Sequence, residues 1–442
     1  MNTGSPAEGR RNTNSTDLRI LTISCWLMMA VTFSMPDRED TLAAGSFDTI
    51  ALLKLAARGT VALLLAWRIK HSIQTGSFRR IGYRVLPICL FLVWAMFSIT
   101  WSSLRSVSFA QTSSLATLVC ITVLSADCCQ SRRATESILK QICLALSTLS
   151  CLILFCYFFV PDLGSMTRDG TGLFHATNTA ATASLGLICL ISIWLIWDYQ
   201  WSRWLLWTAA PHAMVLVLSA NRLSFLVNTI VLLAVCYRYG SRLIVSLIVS
   251  VICSVGAIYI LIDPTFSGFA LVGSEVLSYA SRGQDASQLS ALSGRAEMWE
   301  VQWKSFLESP MIGHGYFVTS REGQLYVWYN WANYTAHNLV LQVLVTTGVV
   351  GFCLFVVSLV YPYTKAANYL RRRDGDPQLG NFLGLAGIWY LGWSLMNESI
   401  TGPVQPESVV FFVLLGFAIG NAVGEKGCQV EDKPYGLSKC AA

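Results

Sequence analysis

Apolar stretches of roughly twenty residues, the length that crosses a bilayer as a helix, recur along almost the whole chain. In hydrocarbon every backbone N–H and C=O needs a partner within the protein, so a chain built this way folds as packed helices or as a closed barrel. Runs this long and continuous lack the alternation of a barrel strand. Hydropathy places about twelve spans, at 19–35, 47–67, 84–101, 108–126, 137–160, 174–197, 203–220, 222–239, 242–262, 337–363, 380–397 and 407–424. Of the 442 residues 13% are charged, where a soluble domain carries about 25%. The expectation is an all-α polytopic membrane protein.

Orientation follows from the basic clusters. RIKHSIQTGSFRRIGYR, QSRRATE and NYLRRRDGD share one side of the membrane if residues 1–18 form a cytoplasmic tail, and Lys and Arg collect on that side in such proteins. The polar N-terminus is longer than a signal-peptide n-region and no cleavage site follows the first apolar run. The net charge of +6 is then a topology signal and calls for no nucleic-acid partner. The organisation expected is a tail (1–18), helices one to nine (19–262), a large periplasmic loop (263–336), helices ten to twelve (337–424) and a second cytoplasmic tail (425–442). The 14 cysteines all fall in spans or on the inner side, so disulfides are not expected, and most serve as small apolar packers.

Loops longer than about 15 residues are usually functional or disordered. The segment 263–336 is rich in Trp, Tyr, Phe and Gly with few charges, which reads as folded. Within it SGRAEMWEVQWKSFLESP predicts a helix, capped by Ser293 or Gly294, with Glu297 in the first turn and Pro310 past the end. Met298, Trp299, Gln302, Trp303 and Phe306 recur at 3–4 spacing, a face suited to the membrane surface. Arg295 opposes the dipole at the helix start, which suggests that an anion arrives there.

Four outward-facing stretches line up: GTGLFHATNTAATASLG, LSANRLSFL, SGRAEMWE and AHNLVLQVLVTTGVVG. Arg222 and Leu226 fit an Arg-x-x-x-Leu pattern. His337, Asn338, Gly348 and Gly351 fit His-Asn followed by two glycines at fixed spacing. Ser293, Gly294, Arg295 and Trp299 precede Pro310, Gly313 and Gly315 in a Pro-x-x-Gly-x-Gly stretch. In this order they resemble the O-antigen ligase/polymerase superfamily, and within it the bacterial exopolysaccharide polymerases. At FHATN the related proteins carry a His-Lys-Asn run, and Ala176 stands where the lysine would.

The resemblance implies a GT-C-like membrane glycosyltransferase of the bacterial inner membrane, active on its periplasmic side. Its donor would be a polyprenyl-pyrophosphate-linked oligosaccharide. Cleaving the anomeric C–O bond leaves negative charge on pyrophosphate, and fixed cations stabilise charge where it develops. Arginine suits phosphate because its fork grips two oxygens and stays charged, so Arg222 and Arg295 are the candidates. The acceptor hydroxyl must lose a proton as it attacks, and histidine is a fit general base, which assigns His337. The outcome is inversion without a glycosyl-enzyme intermediate, with no metal and no cofactor required. A flippase and a chain-length regulator of the same export pathway are the expected protein partners, and membrane lipids surround the chain. A ligase transferring glycan to lipid A core or protein is the alternative, and a transporter of lipid-linked glycan the second alternative.

Candidate substrate contacts are Asn338, Arg168, Arg58, His175, Asn178, Trp299 and Glu398. Each also has a plainer reading. Arg168 could pair with Asp169, His175 and Asn178 could start a helix, and Asn338 could cap one. Lys54 and Arg58 lie one turn apart inside a span, where charge defaults to function, yet the two could be a satisfied buried pair. Glu398 could orient a histidine or an arginine, or cap its turn. His314 and His212 read as structural. Asp374-Gly375-Asp376 looks like a metal–nucleotide-sugar motif, but it sits in a basic loop away from the other candidates and reads as a turn.

Overall fold

The computed structural model describes residues 15–30, 49–74, 84–164, 176–197, 208–219, 221–239, 295–323, 325–327, 331–333, 335–372 and 376–431. In chain order the helices are α1 (Ser15–Ala30), α2 (Thr49–Gln74), α3 (Ile88–Ser98), α4 (Arg105–Cys128), α5 (Arg132–Phe159), α6 (Ala176–Trp197), α7 (Ala209–Leu218) and α8 (Arg222–Tyr239). They continue with α9 (Arg295–Glu308), α10 (Leu339–Phe355), α11 (Tyr361–Leu370), α12 (Pro377–Ser394) and α13 (Pro406–Glu431). Helices occupy every expected span except 242–262, which lies outside the described residues. Four segments, Arg105–Cys128, Arg132–Phe159, Leu339–Leu370 and Pro406–Val423, are long and apolar enough to cross a membrane. The all-α expectation needs one addition, a small antiparallel ribbon in the large loop, β1 (Leu325–Val327) on β2 (Trp331–Asn333).

The bundle is organised around α13, whose first 18 residues are wholly buried. Its closest neighbour is α4. Thr122 Oγ1 donates to Phe412 O at 2.8 Å, and a Cβ added at Gly416 or Gly420 would meet Ser125 Cβ at 2.4 Å or Ala126 O at 2.6 Å. Small residues let the two backbones approach, and close packing is what holds helices together in lipid, where water expels nothing. The three basic clusters gather at one end. There Arg132 reaches Gln378 at 2.7 Å and Asp376 at 3.8 Å, Arg68 pairs with Asp17, and Arg84 donates to Ala422 O. Of the Asp-Gly-Asp stretch, Asp376 caps α12 by accepting from Leu379 N at 3.0 Å, and Asp374 and Gly375 lie outside the described residues. Cys128 and Cys129 are buried free thiols. His212 is fully buried and satisfied by Ser147 and Ser150.

At the opposite end the span expected at 337–363 is not one continuous helix. Gly348 has φ 69° and ψ −175° and breaks it. The segment from Gly348 to Leu370 is about 33 Å long at 1.5 Å per residue, enough to cross the hydrocarbon core alone. A π turn, Val356–Val360, joins its two halves. The part from Leu339 to Thr347 is therefore an arm of about 13 Å, with His337 just beyond its tip.

The break is filled by the backbone of the loop that follows α9. Val349 N donates to Pro310 O (2.8 Å) and Val350 N to Met311 O (3.2 Å), while His314 N and Gly315 N donate to Val345 O and Thr346 O. A Cβ on Gly348 would stand 2.2 Å from Met311 O, and one on Gly313 (φ +67°) 2.4 Å from the carbonyl carbon of Thr346. Gly348 thus admits a loop rather than a neighbouring helix. Gly351 does face a helix: Trp94 of α3 donates from Nε1 to Thr347 O at 3.0 Å.

The same loop is bolted to α3 and α4. Tyr316 N donates to Ser98 Oγ (2.8 Å) and its carbonyl accepts from Ser108 Oγ (2.8 Å). The Tyr316 hydroxyl donates to Thr401 O at 3.1 Å. His314 is structural, as expected: it is buried, with Nε2 within 2.8 Å of Ser305 O. The membrane-surface reading of α9 is corrected, because Met298, Gln302 and Phe306 face the protein. The outward side carries Trp303 and Leu307, together with the Lys304–Glu300 pair.

Two measurements test this arrangement. Gly348→Ala should lower the thermal midpoint of the detergent-solubilised protein by several degrees, because φ is positive and Met311 O blocks the methyl. Gly59→Ala, with nothing within 4 Å, should leave the midpoint unchanged or raise it, helix propensity favouring Ala by about 1 kcal/mol. Burial raises the Tyr316 pKa, so the folded state holds that proton more tightly than the unfolded one. The stability from keeping it neutral is present below about pH 10 and is lost as pH rises further. Tyr316→Phe should cost about 1–3 kcal/mol at neutral pH and flatten the loss of stability between pH 9 and 11 in thermal melts.

Candidate active site

His337 has φ 46°, a left-handed conformation that non-glycine residues rarely adopt and that costs on the order of 1–3 kcal/mol. The neighbouring residues hold it there. Trp299 Nε1 donates to Ala336 O at 2.9 Å and Gln302 Nε2 to Thr335 O at 3.1 Å, both from α9. Gln342 Oε1 accepts from Ala336 N at 2.6 Å. On the other flank Asn338 caps α10, accepting from Leu341 N at 3.0 Å, while its Nδ2 donates to Leu395 O at 3.1 Å. The residues on both sides of His337 are thus tied to helices or their ends.

The imidazole is about one-third exposed, and its Nδ1 lies 3.4 Å from Oε2 of Glu398, which is almost buried. Glu398 lies where either of its two sequence readings would put it. Its carbonyl closes the turn by accepting from Thr401 N and Gly402 N, and its carboxylate faces the histidine. The turn is rigid. Ser399 Oγ accepts from Trp393 Nε1 (2.8 Å) and lies 2.6 Å from Asn397 Oδ1 and 3.1 Å from Glu407 Oε1. Among the described residues Glu398 Oε2 has no hydrogen-bond donor, so the histidine ring is the group it faces. With Nδ1 turned to the carboxylate, Nε2 is the nitrogen left to face a reactant.

The two candidate arginines each open a helix. Arg222 is the first residue of α8 and Arg295 the first of α9, and helix N-termini are where anions bind. α7 ends at Leu218 and α8 begins at Arg222, with Asn221 Oδ1 accepting from Ser224 N at 3.0 Å. The side chain of Arg222 lies outside the described residues, as do Arg168, Asp169, His175 and the capping positions Ser293 and Gly294. Arg295 is half-buried.

Other candidates are placed differently. Arg58 donates from Nη1 to Ser114 Oγ of α4 at 3.4 Å. Asn178 lies in the first turn of α6, half-buried, with its carbonyl accepting from Thr182 Oγ1, as the helix-start reading has it. Trp299 supports the backbone before His337 through its N–H. Gln342 was not singled out by sequence reasoning. Its signal was available, since a buried amide inside an apolar helix is costly unless bonded.

No curated protein matches the sequence. Residues 210–356 match the family model described as O-antigen ligase, an interval that contains Arg222, Arg295, His337 and the glycines of the broken helix. That interval is about a third of the chain, and over it the chain is similar to the O-antigen ligase family, which supports the resemblance its motifs carry.

Proposed function

We propose that the protein is a membrane glycosyltransferase that polymerises polyprenyl-pyrophosphate-linked repeat units of an exported polysaccharide, moving the growing chain from its carrier onto the next unit. The observation carrying this reading is His337, held in a strained backbone conformation with a nearly buried carboxylate behind it. Strain of this kind persists where surrounding structure over-determines it, and it concentrates at reactive sites.

In this mechanism Nε2 of His337 takes the proton of the acceptor hydroxyl as its oxygen attacks the anomeric carbon from the face opposite the pyrophosphate. Glu398 stabilises the imidazolium that forms and fixes the tautomer that leaves Nε2 free to accept, the task of the carboxylate in a catalytic triad. Arg222 and Arg295 neutralise the pyrophosphate as it departs. The reaction end is the periplasmic one, opposite the basic clusters, which suits a cytoplasmic N-terminus and about 12 spans. Ligation to lipid A core or to protein uses the same donor half-site and differs only in the acceptor.

Purified full-length protein in nanodiscs should extend lipid-linked repeat units. His337→Ala should lower kcat by about 10²–10⁴-fold while leaving donor binding intact, and wild-type turnover by that variant would sink the base assignment. Glu398→Gln should lower kcat less than His337→Ala, with little change in KM. Arg222→Lys and Arg295→Lys should each weaken the donor, because a point charge cannot replace the fork. Chelator should leave the rate unchanged. In a deletion strain, loss of long polymer with single units still made supports polymerase, and unattached long polymer supports ligase.

A further inference from the structure

The α3–α4 turn, the end of α9 and the loop beyond it enclose a half-open cavity of about 250 Å³ that the proposed chemistry does not use. Trp101 and Ser103 line it from the turn, Ser309 and Ile312 from the loop, and Arg321 stands at its rim. Its volume is below the 300–1,000 Å³ of sites for drug-sized ligands, which suits a ring or two.

The lining is specific in kind. The indole of Trp101 is braced by Trp94, with ring centroids 5.5 Å apart, so it offers a fixed apolar plate. Its Nε1 is buried yet has no hydrogen-bond partner among the described residues, and a buried polar group left unmatched calls for a missing ligand or water. Arg321 is already offset by Glu308, 3.8 Å from its carboxylate and bonded to its carbonyl. The cavity also sits at the C-terminal, negative end of α9. Such a site disfavours phosphate and suits a neutral, hydroxyl-rich ring with an apolar face.

Position supplies the last element. Ser309, just past the end of α9, follows Trp299 by ten positions, and the Trp299 N–H holds the peptide next to His337, so the cavity lies roughly 15 Å from the reaction centre along that helix. We infer that this cavity is a remote sugar subsite that holds one neutral residue of the glycan chain during transfer. The inference rests on the glycan-transfer reading above. Binding energy from such remote contacts is what sustains turnover on long substrates.

Two experiments on the full-length protein test it. Oligosaccharides released by mild acid from the producing strain's own polysaccharide are titrated against wild type, His337→Ala, Trp101→Ala and Arg321→Ala. Wild type and His337→Ala should bind alike, whereas Trp101→Ala and Arg321→Ala should weaken binding about tenfold and several-fold. Trp101→Phe, which keeps the plate and loses the N–H, should fall between and controls for folding. In the polymerisation assay Trp101→Ala should transfer single units with kcat within about twofold of wild type, but raise KM for multi-unit donors and shorten the products. Equal binding by wild type and Trp101→Ala, or no binding by wild type, overturns the subsite. A wild-type protein that binds the oligosaccharides but transfers none overturns the enzymatic reading and leaves the sugar site standing.

Discussion

The site depends on one exchange of backbone hydrogen bonds, between the break in α10 at Gly348 and the peptides of Pro310 to Gly315. An interrupted helix at membrane depth leaves N–H and C=O groups that lipid cannot satisfy. Here a loop delivers two carbonyls and two amides to them. The consequences run outward from that point. The arm bearing His337 is freed from the spanning segment, α9 is drawn against the arm, and Tyr316 is carried to α3, α4 and the turn that holds Glu398.

Much of this was legible beforehand, and for identifiable reasons. Hydropathy located the helices because burial in lipid leaves a long signal, and α9 announced itself through its acidic first turn and terminal proline. His337, Asn338, Gly348 and Gly351 were found as a spaced pattern, but the meaning of the spacing was not. A glycine in an apolar helix signals close approach without naming what approaches, and a loop some 35 residues upstream leaves no local trace in the helix. Likewise the face of α9 was visible as amphipathic, whereas its partner was not. Met298 and Phe306 pack equally well on lipid or on protein, and only Gln302, a buried amide, hinted at a proteinaceous neighbour. The Glu398–His337 pairing joins residues that only the tertiary fold brings together, so the sequence could offer Glu398 as a candidate orienter and no more.

The fold puts the two kinds of candidate residue on different elements. Arg222 and Arg295 each stand first in a helix, at the terminus that favours anions. His337 and Glu398 sit instead between the tip of an arm and a rigid turn, with the carboxylate nearly out of water and the imidazole partly in it.

The pairing of α4 with α13 carries a consequence for biogenesis. Thr122 and the Phe412 carbonyl it bonds are 290 residues apart, so the groove that receives α13 is exposed long before its occupant emerges from the ribosome. During that interval Thr117, Thr122 and Ser125, all buried in the finished bundle, face lipid or an insertion factor. The fold therefore closes late and from its centre, and a ribosome stalled within α12 would release a chain with an open polar seam, a recognisable substrate for membrane quality control.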